Sequence, residues 1–401
     1  MRQGVTVSRV GRTVTLVLVD AAGETLGALP PFDVELPWWQ EVSEVVAEAR
    51  ARYGVRVTVL RLLSAANAAP PGGEVTYLAQ VREPVEVALK PWDDNRDPAP
   101  LRAPWAVPGG PAASLSWAAA ALGRGDLVAV QQRTWNLSAI WRLEDGGGEP
   151  VAWLKQVPVL LAHEATVLRL VAAAAPGLVP AVLAAGDAGR TLLAHVPGED
   201  RYGAGAAFCT RVAADLHPVQ AHFATRTGEL LAAGVPDRRL SFDRFARVAE
   251  PWLDTVDGLA ELMDELPARL AAIDACGMPD TLVHGDLHPG NVREASGRRV
   301  IVDWGDAIVS HPALDILRLT ADLPEPDAAA LIAEWAGRWR ENAPDSDPET
   351  AAALMRPVAA LRSAALYQEF LDHIEDSERP YHEQDVPERL HAAVTTAAQL
   401  G

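Results

Sequence analysis

Cysteine is nearly missing from this chain. Two residues in 401, Cys209 and Cys276, stand far apart. Neither a disulfide framework nor a cysteine-rich metal site can be built from them, and free buried thiols in a reducing cytoplasm are the expectation. Positive charge is also scarce: 35 Lys and Arg against 54 Asp and Glu leave a net charge of −19. Long-range repulsion then opposes nucleic acid and anionic membrane surfaces as partners. No long apolar run survives inspection either. The longest uncharged stretch, Leu170 to Gly186, contains Pro176, Gly177 and Pro180, which cut it into a helix end, a turn and a strand instead of a membrane span. The first twenty residues have scattered arginines and no apolar signal core, so they read as a strand. No internal repeat with a period of roughly 20–50 residues is visible.

What is present suits a globular chain of two or three domains, since 49% of the residues are hydrophobic and 22% charged. Residues 11–20 are β-branched and apolar and predict a strand. Residues 38–53 predict a helix, with Val42, Val45, Val46 and Ala49 on one face and Gly54 as its C-cap. Two strands follow in VRVTVLRLL and VTYLAQV. Proline and aspartate then dominate residues 91–125, which read as a linker with a short lead-in helix in SWAAAALG. Residues 127–143 predict two strands around a turn at Asn136–Ser138. A strand over 151–156 ends near Lys155, a helix over 162–174 carries Glu164, and two more strands flank the turn DAGR. Beyond Pro197 the pattern is helical, except for 281–309, where short apolar pairs frame loops.

That exception carries the chemistry. TLVHGDLHPGNV holds His284, Asp286 and Asn291, and VIVDWGDA holds Asp303. Spacing of H-x-D-x-x-x-x-N followed by D-x-G is the catalytic-loop and metal-loop arrangement of kinases. Phosphoryl transfer needs an acceptor hydroxyl relieved of its proton and phosphate charge neutralised by cations. Asp286 suits the first task. Asn291 and Asp303 offer the oxygen ligands that Mg²⁺ prefers, and Gly305 lets the backbone turn after Asp303. Each piece alone is a common capped turn; the joint pattern is what points to function.

HGDLHPGN followed by VIVDWGDA resembles the aminoglycoside phosphotransferase and choline kinase-like enzymes, over residues 127–320 by motif and to 401 by order of elements. The resemblance implies an α+β fold of protein-kinase-like, bilobal form. A small antiparallel-sheet N-lobe would span 126–197 and a large helical C-lobe 198–401, preceded by a small α+β domain over 1–90 and the linker over 91–125. It implies ATP and Mg²⁺ as cofactors and a small-molecule hydroxyl as acceptor, with an aminosugar, aminoglycoside or related amino alcohol favoured. Position by position, Asp286 matches the catalytic base, Asn291 and Asp303 the Mg²⁺ ligands, and His284 a histidine supporting the loop. His288 matches a histidine of the same loop, and Asp315 an aspartate that steadies it. Lys155 and Glu164 fit the phosphate-anchoring lysine and its glutamate; beyond Lys90, Lys155 is the only lysine. No G-x-G-x-x-G covers the phosphates, so RTWNLSAIW with Asn136 and Ser138 would take that place, and His195–Val196 would be the adenine-binding hinge. A protein kinase is disfavoured by the missing glycine loop and the missing A-P-E segment. A non-catalytic pseudokinase-type module is disfavoured by retention of the site residues.

Two acidic stretches are candidates for holding the acceptor. Glu369, Asp372 and Glu375 recur at helical spacing in YQEFLDHIEDSERPYH, and Asp200 with Tyr202 follows the hinge; a solvated helix face is the competing reading of the first. Residues 1–90 faintly resemble a Nudix-type α+β domain. With Gly54 aligned to the box glycine, only Glu48 matches an acid, and Ala51 and Arg52 stand where metal-binding glutamates belong. An accessory domain without pyrophosphohydrolase activity is expected, with Trp38 and Trp39 as core or interface anchors.

Overall fold

The computed structural model describes residues 11–93 and 99–399; the first ten residues of the expected opening strand, and residues 94–98 of the expected linker, lie outside them. The chain divides into two compact units. The first comprises Met1–Val159, Leu183–Leu193 and Glu369–Gln384; the second comprises Leu160–Val182, Ala194–Gln368 and Asp385–Gly401.

The first unit opens with β1 (Arg12–Val19), β2 (Thr25–Ala28), β3 (Phe32–Val34), α1 (Ser43–Tyr53), β4 (Val57–Ala65) and β5 (Gly73–Val81). Alternation along β1 explains the sheet. Val14, Leu16 and Leu18 join a core with Trp39, Val45 and Tyr77, while Val17 and Val19 join Leu60 and Leu78 on the other face. With both faces covered, β1 reads as an almost continuous apolar run. The sheet order is β2-β1-β5-β4, with β3 also on β1, and β1 runs parallel to β5. Helix α1 starts five residues later than its periodicity predicts and ends on Gly54 in the left-handed region at φ 70°. Trp39 is buried before α1 and donates from Nε1 to the Gly72 carbonyl at 2.7 Å, while Trp38 is exposed.

After α2 (Gly110–Leu122), a second sheet is built from β6 (Val128–Thr134), β7 (Ala139–Glu144), β8 (Pro150–Gln156), β9 (Val182–Gly186) and β10 (Arg190–Ala194), in the order β6-β7-β8-β10-β9. The first ninety residues share a unit with this sheet. Gln131 on β6 imitates a strand partner: its side chain accepts from the Val59 N–H at 3.0 Å and donates to the Val59 carbonyl at 2.7 Å. Arg133 donates to Glu41 at 2.8 Å.

The second unit holds α3 (Glu164–Ala174), β11 (Glu199–Asp200), α4 (Ala206–Ala224), α5 (Thr227–Ala232), α6 (Phe242–Ala249), α7 (Leu259–Ala275), β12 (Thr281–Val283), β13 (Val292–Ala295), β14 (Arg298–Ile301), β15 (Ile308–Ser310), α8 (Ala313–Thr320), α9 (Glu325–Asn342), α10 (Pro348–Leu371) and α11 (Asp385–Ala398). Helix α10 spans the boundary, its last residues falling in the first unit. The helical spacing of Glu369, Asp372 and Glu375 outruns the helix, which stops at Leu371, and a 3-10 turn, Asp376–Tyr381, follows. No described helix is long and apolar enough to cross a membrane.

Candidate active site

Two nested antiparallel pairs bring the motif residues together. The outer pair is β12 with β15, Val283 opposite Ile308; the inner pair is β13 with β14, Val292 opposite Ile301. The chain between them must loop out on both sides, as residues 284–291 and 302–307. The Val302 N–H donates to the Asn291 carbonyl at 2.9 Å and clips the loops side by side. The loop of Asp286 and Asn291 thereby runs beside the loop of Asp303, although 17 and 12 positions separate these residues from Asp303 in sequence.

The first loop is held from behind. His284 is fully buried, packs against the Trp304 ring at 4.6 Å and hydrogen-bonds the Val302 carbonyl through Nε2 at 3.0 Å. Its Nδ1 accepts from the Asp286 N–H at 3.3 Å. Asp315 on α8 accepts from the His284 and Gly285 N–H groups at 2.8 and 3.0 Å and from Gln220 Nε2 at 2.9 Å. Burial pushes the Asp315 carboxyl up, while these donors pull the other way. Gly285 has φ 90°, and a Cβ there would lie 2.2 Å from the Asp306 carbonyl oxygen, so only glycine fits.

Asp286 sits at the mouth of this cradle. Burial raises its carboxyl, but a hydrogen bond from His288 and the charge of Arg318 outweigh that and hold it well below the usual carboxylate range. Arg318 Nε donates to Oδ1 at 2.7 Å, and His288 Nε2 lies 3.5 Å from Oδ2. The Gly290 N–H donates to His288 Nδ1 at 3.1 Å, which places the ring proton on Nε2, towards Asp286. Tyr202 stacks on the same loop: its ring is 5.6 Å from His288, and a Cβ on Gly290 would meet it.

The donor set fits a hard divalent cation. Asn291 spends its amide nitrogen on Asp286, donating to the carbonyl at 2.9 Å and Oδ2 at 3.3 Å. Its amide oxygen and the Asp303 carboxylate are the oxygen donors that would suit such a cation. Asp303 adopts φ 63°, a left-handed conformation that costs a non-glycine residue about 1 kcal/mol or more.

The expected nucleotide residues are placed as follows. Lys155 is buried on β8, opposite Ile140 in register. Glu164 begins α3, buried, and its Oε1 accepts from the Trp304 N–H at 3.1 Å, beside Asp303. Asn136 is spent structurally: Nδ2 donates to the Glu378 carbonyl at 3.4 Å, and Oδ1 meets His382 Nε2 at 3.1 Å. Ser138 Oγ accepts from Trp135 Nε1 at 2.9 Å. The Asn136 amide is thus engaged by the segment around Glu378 and His382. In the hinge segment after His195, Arg293 Nε donates to the Val196 carbonyl at 3.0 Å and a second guanidinium nitrogen to the Gly198 carbonyl.

The acids expected to hold an amine are differently employed. Glu375 is buried and pairs with Arg102 at 2.8 Å and Arg61 at 3.6 Å. Glu369 and Asp372 belong to the same first-unit segment, and with the helix ended at Leu371 the expected acidic face does not form. Asp200 pairs with Arg293 at 2.8 Å. Sequence reading missed Arg318, Gln220 and Arg362, whose Nη1 donates to the Gly285 carbonyl at 2.8 Å. Only Arg318 left a trace, three residues after Asp315 on one helix face.

No curated protein sequence matches the chain. Among solved structures, the GDP complex of aminoglycoside 2'-phosphotransferase-IIIa is 16% identical, with 71% of this chain and 99% of that one covered at a TM-score of 0.50. Macrolide 2'-phosphotransferase MphH from Brachybacterium faecium is 18% identical, covering 67% and 98% at 0.49. A choline/ethanolamine kinase family protein from Mesorhizobium loti is 16% identical, covering 71% and 98% at 0.47. The first of these likenesses carries the fold, which is protein-kinase-like. The sequence profile of the phosphotransferase enzyme family matches residues 141–354, from β7 into α10 and through the whole catalytic segment, and the chain belongs to that family.

Proposed function

We propose that this phosphotransferase moves the γ-phosphoryl group of ATP to a hydroxyl of a small molecule, with Mg²⁺ as cofactor. The support is the convergence of Asp286, Asn291 and Asp303 on two clipped loops, with the Asp286 carboxyl held ionised. An ionised carboxylate can take the proton of an alcohol and aim its oxygen at phosphorus. The acceptor oxygen forms a bond to the γ-phosphorus, the bond from that phosphorus to the bridging oxygen breaks, and a nucleoside diphosphate leaves. The acceptor's proton passes to the Asp286 carboxylate, which Arg318 holds through Oδ1 and which His288 and Asn291 hold through Oδ2. Asn291 and Asp303 would hold Mg²⁺, which supplies charge neutralisation of the phosphates. Lys155, with Glu164, is the expected phosphate anchor.

The aminosugar or amino alcohol expected as acceptor loses the support of Glu375 and of an unengaged Asp200; the hydroxyl requirement is untouched. ADP release with Mg²⁺ and ATP over a panel of alcohols tests the proposal, with GTP in parallel because the 2'-phosphotransferase-IIIa neighbour holds GDP. Asp286→Asn is expected to cut kcat by about 10²–10⁴-fold while the nucleotide KM changes little. Nucleotide binding without transfer to any acceptor would instead favour a binding module.

A further inference from the structure

The turn that follows Asp303 is gripped by a segment that belongs to no motif. Residues Trp304–Asp306 form a single 3-10 turn, closed by the Ala307 N–H, which donates to the Trp304 carbonyl at 3.1 Å. Its own bonding leaves over the Trp304 N–H at its start and the Ala307 carbonyl at its end. Two consecutive side chains take them. Glu164 Oε1 accepts from the Trp304 N–H at 3.1 Å, and His163 Nε2 donates to the Ala307 carbonyl at 2.8 Å. A carbonyl only accepts, so the ring proton of His163 is on Nε2. Leu161 packs on the same turn: a Cβ added to Gly305 would lie 3.8 Å from the Leu161 Cβ. His163 is itself fixed by its main chain. Its carbonyl accepts from the Thr166 and Val167 N–H groups at 3.0 Å each, so its ring stands at the start of α3. All of these residues belong to the second unit.

Asp303 needs such a grip. Its φ of 63° is a conformation that a non-glycine residue keeps only where its surroundings over-determine it. Before the turn, the Val302 N–H is tied to the Asn291 carbonyl. Within the turn, the Trp304 ring packs on His284. The Ala307 carbonyl is the remaining end, and His163 is what holds it. Ala307 is fully buried, so without the His163 donor its carbonyl would be left unpaired away from water, and the turn would have to shift to relieve it. Asp303 is exposed while Trp304, Gly305 and Ala307 are buried, so a shift of the buried turn is felt as a displacement of the open carboxylate. We propose that His163 is a positioning residue of the metal loop: by holding the Ala307 carbonyl it keeps the Asp303 carboxylate where a divalent cation is bound. This role rests on the reading of Asp303 as a Mg²⁺ ligand and adds a residue to that site. Groups that orient a metal ligand without touching the metal commonly govern its affinity by about 10–100-fold.

Mn²⁺ is the probe, because the free ion is counted directly by electron paramagnetic resonance. Full-length protein is titrated with Mn²⁺ in the presence of a non-hydrolysable ATP analogue, and melting is recorded alongside. Gln and Asn carry the same amide at different reach. The Gln Nε2 comes near the place of the histidine Nε2, whereas the Asn Nδ2 comes near that of Nδ1 and falls short of Ala307. His163→Asn and His163→Leu are therefore expected to weaken Mn²⁺ binding by about 10–100-fold, and His163→Gln to stay near wild type. Should His163→Leu not fold, the Gln and Asn variants decide. Mn²⁺ affinity that is unchanged in His163→Asn overturns the role, whatever the melting temperature does, and makes His163 a fastening of α3 alone. An equal loss in Gln and Asn overturns it too, since the donor would then not be what matters. Asp303→Asn keeps the two failures apart. If it abolishes Mn²⁺ binding while the His163 variants leave it intact, this role alone falls. If Asp303→Asn also binds Mn²⁺ like wild type, the metal reading of Asp303 falls with it.

Discussion

At the scale of single residues, the site depends on a few side chains with no alternative chemistry. Asp315 illustrates this. It is buried to 2% exposure and takes three N–H donors, two of them from the backbone of the catalytic loop itself. Asn at this position keeps the shape but turns an NH₂ group towards at least one donor. Bonds to a charged acceptor are worth about 1.5–3 kcal/mol each, so Asp315→Asn is expected to lower stability by about 2–3 kcal/mol. It should also lower kcat, because His284 and Gly285 lose the anchor that sets Asp286. Thermal melting and steady-state kinetics check both effects, and a variant that melts like wild type with unchanged kcat would remove Asp315 from the support of the loop. The triad Asp286, Asn291 and Asp303 was legible because its spacing is local and its chemistry has few substitutes. Arg318 and Arg362 were not, since a cation on a distant helix belongs to no motif. The partners of Asn136 were equally hidden: an amide in the expected loop looked available, and only the fold shows it bonded to Glu378 and His382.

At the scale of elements, strands and helices with clear periodicity were predicted close to where they lie, including β1, β4 to β8 and α3. Short pieces such as β2, β3 and β11 have too few residues to show a period, and they exist through pairing alone. The 3-10 turn Asp376–Tyr381 was hidden for a further reason, since charge spacing made it resemble the continuation of α10. Its burial gives Glu378 an unusual role. The side chain is 3% exposed, and Oε1 accepts from the Leu62 N–H at 2.9 Å. Burial, with the neighbouring Glu375 adding to it, pushes its carboxyl from 4.5 up to about 8. The folded state therefore holds a proton that the unfolded chain releases near its ordinary value. This contribution to stability is complete below about pH 4.5 and is lost as pH climbs through about 8. Glu378→Gln keeps the acceptor for Leu62 and needs no proton. Wild type is expected to lose melting temperature across that window, and the variant to lose less and to melt higher at the alkaline end. Parallel pH profiles for the two proteins would show instead that Glu378 is ionised in the fold.

At the scale of the whole molecule, the chain leaves the helical unit after Gln368, contributes sixteen residues, Glu369–Gln384, to the first unit, and returns at Asp385. Those residues complete a core. Tyr381, 5% exposed, belongs to the cluster built from Val14, Leu16, Trp39 and Tyr77. Its ring lies 5.6 Å from both Trp39 and Trp135. Glu375 neutralises Arg61 and Arg102, and His382 with the Glu378 carbonyl satisfies Asn136. No reading of residues 1–90 as a domain of their own could anticipate this, because the completing residues lie some three hundred positions downstream and carry no local signal of their destination. Removing them exposes the Trp39 face, leaves buried Arg61 and half-buried Arg102 without Glu375 and strips the partners from a buried amide, each a cost of about 1–3 kcal/mol against a domain stability of about 5–15 kcal/mol. A fragment of residues 1–159 is therefore expected to be unstable or aggregated alone, and to gain a cooperative melt when a peptide of residues 369–384 is supplied at excess. In the full chain, replacing 372–384 by a flexible linker should destabilise the first unit while α4, α8 and α9 remain folded, read by proteolysis mapped along the sequence. A fragment that melts cooperatively without the peptide would show that the first unit closes its core unaided.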